Sequence, residues 1–227
     1  MSAARYVDTS EAARGTDGLA IVVDVLRAFT TAAYAFAAKA ERIVLVGTID
    51  EAFALTATHP GWMTMGEEGG LPISGFDLAN SPVHASKASL EGRTIVQRTS
   101  AGTQGVVAAR RAPTLLCASM VCASATARVA RSIDLPRTYV ITGRGQHGDG
   151  DDDLATAEFI EASIMGPTDP GPYVERIRRS EWGVRIEQLE GAHPDDVDYA
   201  VDVDRFDFAM AVKTTAIGLE LTPTNRP

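Results

Sequence analysis

With 227 residues, 45% of them hydrophobic, the chain can bury a sizeable core, while a net charge of −9 denies nucleic acid and anionic membranes the cationic face they need. No apolar run approaches the roughly 20 residues that cross a bilayer. The N-terminus has no apolar signal core, so a cytoplasmic protein is expected.

In chain order, Leu19 to Val23 is a short continuous apolar run, the pattern of a strand covered on both faces. It ends on Asp24. Leu26, Phe29, Ala33, Phe36 or Ala37, and Ala40 then recur at three- and four-residue steps, on one face of a helix. Arg42 to Gly47 reads as a strand. Thr48-Ile-Asp-Glu51 matches a capping box opening a helix through about Thr58, which Pro60-Gly61 ends. Trp62 to Met65 is a third strand, followed by a long loop from Gly66 to Pro82. Ser81 and Pro82 have the order of an N-cap and a first helical residue. Thr94 to Arg98 is a strand, and Thr99 to Thr103 a loop entering a helix through Arg111. Thr114 to Cys117 is strand-like, Ser124 to Ser132 helical, and Tyr139 to Thr142 a strand. The loop Gly143 to Asp153 leads to a helix from Leu154 to about Met165. Tyr173 to Arg179 and Pro194 to Val201 read as helices and Phe206 to Val212 as a last strand. The alternation to residue 165 predicts an α/β protein with a largely parallel sheet, one domain over 1–227 with 166–200 as a helical excursion.

Four polar loops follow strands: around Asp24, Gly66 to Pro82, Thr99 to Thr103, and Gly143 to Asp153. In a parallel sheet they gather at one edge, the usual place for a site. They supply carboxylates (Asp24, Glu67, Glu68, Asp77, and Asp151 to Asp153), guanidinium groups (Arg27, Arg98, Arg144) and short polar donors (Asn80, Ser81, Thr99, Ser100, Thr103). Clustered oxygen ligands suit a hard cation such as magnesium, and Gly-rich loops entering helices offer N–H groups to an anion. Singly, each piece has an ordinary use: Asp24 and Ser81 as helix caps, Arg27 in a surface pair, Thr99 and Thr103 bridging a turn, and Asp149 to Asp153 as a solvated loop. Together they equip metal-assisted phosphoryl chemistry.

Other motifs fail. Gly143-Arg-Gly145-Gln-His-Gly148 fits G-x-G-x-x-G, but the acidic run after it would repel a pyrophosphate. Asp149, Asp151 and Asp153 imitate an EF-hand without its glycine and final glutamate. Cys122 and Arg128 have the C-x5-R spacing of cysteine phosphatases, yet no glycine lies between them and no His precedes the cysteine. Cys122 therefore reads as packing, and with Cys117 it makes no disulfide framework or metal site. His147 is the one histidine in a candidate loop, as a proton donor.

Asp24-Val-Leu-Arg27-Ala-Phe-Thr30-Thr31, Gly66-Glu67-Glu68-Gly69-Gly70, Gly75-Phe76-Asp77-Leu-Ala-Asn80-Ser81-Pro82, Thr99-Ser-Ala-Gly102-Thr103 and Asp152-Asp153-Leu-Ala stand in the order found in the 2-phosphosulfolactate phosphatase family. The chain resembles that family from about Leu19 to Ala157, and more weakly over Asp202 to Val212. The resemblance implies a three-layer α/β/α architecture with a largely parallel or mixed central sheet, and a magnesium-dependent hydrolase acting on 2-phosphosulfolactate or another 2-hydroxy-acid phosphate. Glu68 replaces an arginine of the family pattern, Ala101 an asparagine and Ala79 a glycine, which loosens the inference to sulfolactate itself.

On this reading Asp24, Arg27 and Asp77 are catalytic, and Asp24 with Glu67, Asp77 or Asp153 holds Mg2+. Asn80, Ser81, Thr99, Gly102 and Thr103 bind phosphate, and Arg144 receives the carboxylate or sulfonate end. The nucleophile is open between a metal-activated water and Asp24 itself. The competing expectation is a diverged, non-catalytic relative that binds a small anionic metabolite. The expected partner is a small phosphorylated anion, with no nucleic acid and no membrane; the oligomeric state is open, a homodimer among the options.

Overall fold

The structure is a computed structural model that describes residues 3–145 and 148–225. β1 (Arg5–Val7) and α1 (Thr9–Ala12) precede β2 (Leu19–Val23), α2 (Ala28–Ala37), β3 (Arg42–Leu45) and α3 (Ile49–Thr58). β4 (Met63–Gly66), the short β5 (Leu78–Ala79) and α4 (Pro82–Lys87) lead to β6 (Thr94–Arg98) and α5 (Gly102–Ala109). β7 (Thr114–Ala118), α6 (Ala123–Arg131), β8 (Arg137–Ile141) and α7 (Asp151–Met165) continue the alternation. α8 (Gly171–Arg179), α9 (Glu181–Arg185) and α10 (Asp196–Ala200) form the excursion, and β9 (Ala209–Thr214) and β10 (Leu219–Thr224) close the chain as a hairpin.

Local chemistry accounts for several boundaries. Thr48 and Glu51 form the reciprocal capping box that starts α3, and Ser81 caps α4 with Pro82 in its first turn. Asp151, Asp152 and Asp153 are not a loop: they make the first turn of α7, where carboxylates complement the helix dipole. β1, too short for a periodic pattern, and β10, which carries Pro223, were not legible as strands.

The sheet runs β1-β8-β2-β7-β9-β10-β3-β6-β4-β5 and is mixed. β1, β8, β2 and β7 are mutually parallel, as are β3, β6, β4 and β5. The β9–β10 hairpin lies between the two blocks, antiparallel to each neighbour, so the blocks run in opposite senses. A flat sheet would leave their carboxyl ends on opposite edges. Twist of roughly 20–25° per strand, summed over the six steps from β2 to β4, turns one block through well over a right angle. The ends of β2, β4, β6 and β8 thereby meet around one cavity.

Both faces of β2 are buried. Ala20 and Val22 pack with Phe29, Val106 and Met65 beneath α2 and α5, while Leu19, Ile21 and Val23 pack with Phe159 and Ile160 beneath α6 and α7. Helices on both faces give the three-layer α/β/α arrangement, and each such side chain contributes about 1.5–3 kcal/mol of burial. Asp24 thus leaves a strand with little freedom to shift. Among the described residues no helix is long and apolar enough to cross a membrane.

Gly66 ends β4 opposite Arg98 of β6, and a Cβ on it would lie 1.8 Å from the Arg98 carbonyl oxygen. Gly66→Ala should therefore cost roughly 1–3 kcal/mol in urea unfolding. Gly166→Ala, where a Cβ meets nothing within 4 Å, should stay within about 0.5 kcal/mol of the parent.

Candidate active site

A cavity of about 330 Å³ opens where these strand ends converge. Its floor is carboxylate: Asp24 after β2, Glu67 after β4, and Asp152 and Asp153 from the first turn of α7. Ser100 and Ala101 form one side and Thr142 and Gly143 another, while Trp182, Arg185 and Leu189 of the excursion supply a wall. The volume suits a small ligand.

Asp24 is 6% exposed, and its Oδ1 accepts the Ala28 N–H at 2.9 Å. Burial pushes its carboxyl up to about 6, and the neighbouring Glu67 charge adds to that, against the lowering by donated hydrogen bonds from Ala28, Thr142 and Gly102. Gly102 has to be glycine, because a Cβ there would lie 2.7 Å from Asp24 Oδ2 and from Ala28 Cβ. Asp153 ties two loops together. Its Oδ1 accepts the Val25 N–H at 2.8 Å, and its Oδ2 accepts the Gly143 N–H at 2.8 Å and the Thr142 hydroxyl at 3.2 Å. Burial, then the charges of Asp152 and Asp24, holds its carboxyl well above the usual range.

Asp152 is 2% exposed, and its carboxyl is pushed up to about 7 by burial and then by Asp24. Its Oδ1 is buried and finds no hydrogen-bond partner among the described residues. Three carboxyl groups this close and this dry do not all ionise without a compensating cation. Glu67 faces them with its oxygens held by backbone: Oε1 accepts the Ser100 N–H, and Oε2 the Gly70 N–H at 2.6 Å. Among the described residues no three His, Cys, Asp or Glu side chains form a ready-made metal cage.

Arg27 is buried at the cavity edge and donates to Asp196 Oδ2 at 2.9 Å. Asp196 is fully buried; its other oxygen accepts the Ser81 hydroxyl at 2.6 Å, and the His193 N–H reaches Oδ2 at 3.0 Å. One acid from the excursion therefore sets both the arginine and the cap of α4. Nothing local in the stretch around Pro194 marked Asp196 as buried; the partner lies 169 residues away.

Of the residues expected at the site, Asp24, Arg27, Glu67, Asn80 and Asp153 line the cavity. Asp77 does not: its Oδ2 accepts the Thr64 N–H at 2.7 Å and the Thr64 hydroxyl at 2.9 Å, pinning the loop after β4. Thr99 and Thr103 bond each other reciprocally at 2.9 and 3.0 Å and shape the turn that presents Gly102, while Ser81 serves Asp196 and its helix. Arg144 is half-buried outside the lining, and His147 falls outside the described residues. Asp152, expected only as one acid of the Gly143–Asp153 loop, also lines the cavity, and Glu181, Trp182 and Arg185 are the additions. Glu68, mostly exposed, pairs with Arg98 at 3.2 Å and does not line the cavity.

The raised carboxyls set a pH dependence. Their folded-state values lie above the unfolded value near 4, so the folded state holds protons that the unfolded chain has released. Their contribution to stability is greatest below about pH 4 and declines as pH rises to about 7. In melting curves of metal-free protein recorded between pH 5 and 8, Asp152→Asn should flatten that decline relative to the parent.

A sequence profile of the 2-phosphosulpholactate phosphatase family matches residues 6–215. A Bacillus subtilis protein named as a probable 2-phosphosulfolactate phosphatase is 37% identical over 199 residues, which is 85% of this chain and 86% of the relative. Proteins with the same name from Deinococcus radiodurans and Thermus thermophilus are each 33% identical, covering 82% and 88% of this chain and 83% and 79% of their own lengths. The match runs from β1 through β9 and takes in every loop around the cavity: the chain belongs to the 2-phosphosulfolactate phosphatase family.

Proposed function

We propose that the protein is a magnesium-dependent phosphatase that hydrolyses 2-phosphosulfolactate, or a related 2-hydroxy-acid phosphate, to the hydroxy acid and inorganic phosphate. The observation that carries this reading is the crowding of Asp24, Asp152 and Asp153 in one buried corner, with Asp152 Oδ1 left without a hydrogen bond among the described residues. The names of the relatives supply the substrate class.

The donor set fits Mg2+. It is all oxygen and carries more negative charge than a dry site tolerates alone; among the described residues no three of these groups converge as a cage, so bound waters would complete the coordination. Asp24, Asp152 and Asp153 would hold the ion, with Glu67 opposite. When bound, it would neutralise charge on the phosphoryl oxygens.

The chain's own groups do the rest. Arg27 donates from Nη1 to Asp196 and from Nη2 to the Gly70 carbonyl at 3.4 Å, and its remaining N–H groups would serve a phosphoryl oxygen. Asn80 lines the cavity, where its Nδ2 would be the group to donate to an ester or phosphoryl oxygen; its Oδ1 is buried and, among the described residues, unpaired. Asp24 would attack phosphorus or take the proton of an attacking water, and trapping phosphate on Asp24 distinguishes these. The Thr99–Thr103 turn sets Gly102 against Asp24 and so fixes the position of its carboxylate.

With Mg2+ present, the purified protein should release phosphate from a panel of 2-hydroxy-acid phosphates. Asp24→Asn should lower kcat by on the order of 10³-fold while the protein stays folded. Mg2+ should also raise the melting temperature of the parent at pH 7.5 and leave Asp24→Asn nearly unmoved. No phosphate release from any member of the panel would refute the reading.

A further inference from the structure

We infer that Arg185 is the specificity-determining cation of this site, and that Glu181 occupies it until the substrate's second acid group takes its place. The inference rests on the phosphatase reading above and names what lies beyond the phosphate.

The excursion brings α9 over the cavity, and its two charged ends both line it. Arg185 lies 2.5 Å from Glu181 Oε1, one helical turn away, with its guanidinium over the Trp182 ring at 5.2 Å from the centroid. Glu181 in turn leans across the mouth: a Cβ on Gly148 would lie 3.1 Å from its Oε2. Among the described residues, Arg27 and Arg185 are the guanidinium groups that line the cavity. Arg27 is committed to a fully buried carboxylate. Arg185 is not: its side chain is 55% exposed, and an exposed pair at this spacing is worth only about 0.3–0.5 kcal/mol.

The charge of the lining favours the exchange even with a divalent cation bound among the acids. The lining carries Asp24, Glu67, Asp152, Asp153 and Glu181 against two arginines, so a phosphomonoester bearing a further acid enters a wall that repels its free end. A guanidinium resting on the flat face of Trp182 offers a planar fork for a carboxylate or sulfonate, and the weak pair with Glu181 is readily given up to it. Glu181 thus stands in for the substrate's acid and disfavours esters that lack one. The ligand class is a phosphomonoester carrying a carboxylate or sulfonate close to the ester carbon. Arg144, the cation expected there from sequence, lies outside the lining.

The test uses the full chain with Mg2+ and three esters: 2-phosphosulfolactate, 2-phospholactate, and isopropyl phosphate, which has no second acid. Arg185→Gln should lower kcat/KM for the acid-bearing esters roughly tenfold more than for isopropyl phosphate, chiefly through KM. Arg185→Lys should recover part of that difference, and Glu181→Gln should lower KM for the acid-bearing esters. The sulfonate and carboxylate esters, compared in the parent, show which tail Arg185 prefers. Equal losses on all three esters, or a higher KM for the acid-bearing esters in Glu181→Gln, would overturn the inference. No turnover of any ester by the parent would instead refute the phosphatase reading itself.

Discussion

Three buried carboxyl groups in one corner of a protein are costly, since taking each charge out of water and setting it beside its like both oppose ionisation. Here Asp24, Asp152 and Asp153 are all pushed above the ordinary carboxyl range, and one oxygen of Asp152 finds no hydrogen bond among the described residues. A fold that served stability alone would have little use for such a cluster. The surrounding architecture is understandable as whatever keeps those groups together: a strand buried on both faces, an α7 whose first turn carries two of the acids, and backbone N–H groups that hold Asp153 from two loops.

The same demand reaches across the molecule. Gly102 lets α5 begin against Asp24, and the twist of the sheet carries the ends of the oppositely running block round to face it. Asp196 then couples the excursion to the site by holding Arg27 and Ser81 at once. A buried ion pair of this kind gives no assurance of added stability, but removing one partner strands the other charge, commonly at a cost of about 3–5 kcal/mol. The excursion is therefore part of the site on two counts, through this anchor and through the wall that bears Trp182 and Arg185.

Much of this was legible in the chain because local patterns and site chemistry agreed. The apolar run ending on Asp24, the Thr48–Glu51 box and the Ser81-Pro82 start all folded as their residue types dictate. Asp24, Arg27, Glu67, Asn80 and Asp153 could be named because strand-end loops are where such residues gather. What escaped was set by distance and competition. Asp77 looked like a ligand but found Thr64, Asp152 looked like loop but began a helix, and Asp196 and Arg185 owe their places to tertiary packing of a stretch without a strong pattern. The strand order was equally hidden, because a terminal hairpin inserted between two parallel blocks leaves no trace in local periodicity.

The most direct test of the central claim is the proton balance of cation binding. Calorimetric titration of Mg2+ into the metal-free protein at pH 6.5, in buffers of different ionisation enthalpy, counts the protons displaced per ion. Carboxyl groups raised to about 6 and about 7 must lose protons to take up a cation, so the account predicts net release of about one proton from Asp24 and Asp152 together, with any proton held by the still higher Asp153 in addition, and markedly less release in Asp152→Asn. Binding without proton release, or release unaffected by Asp152→Asn, would contradict it.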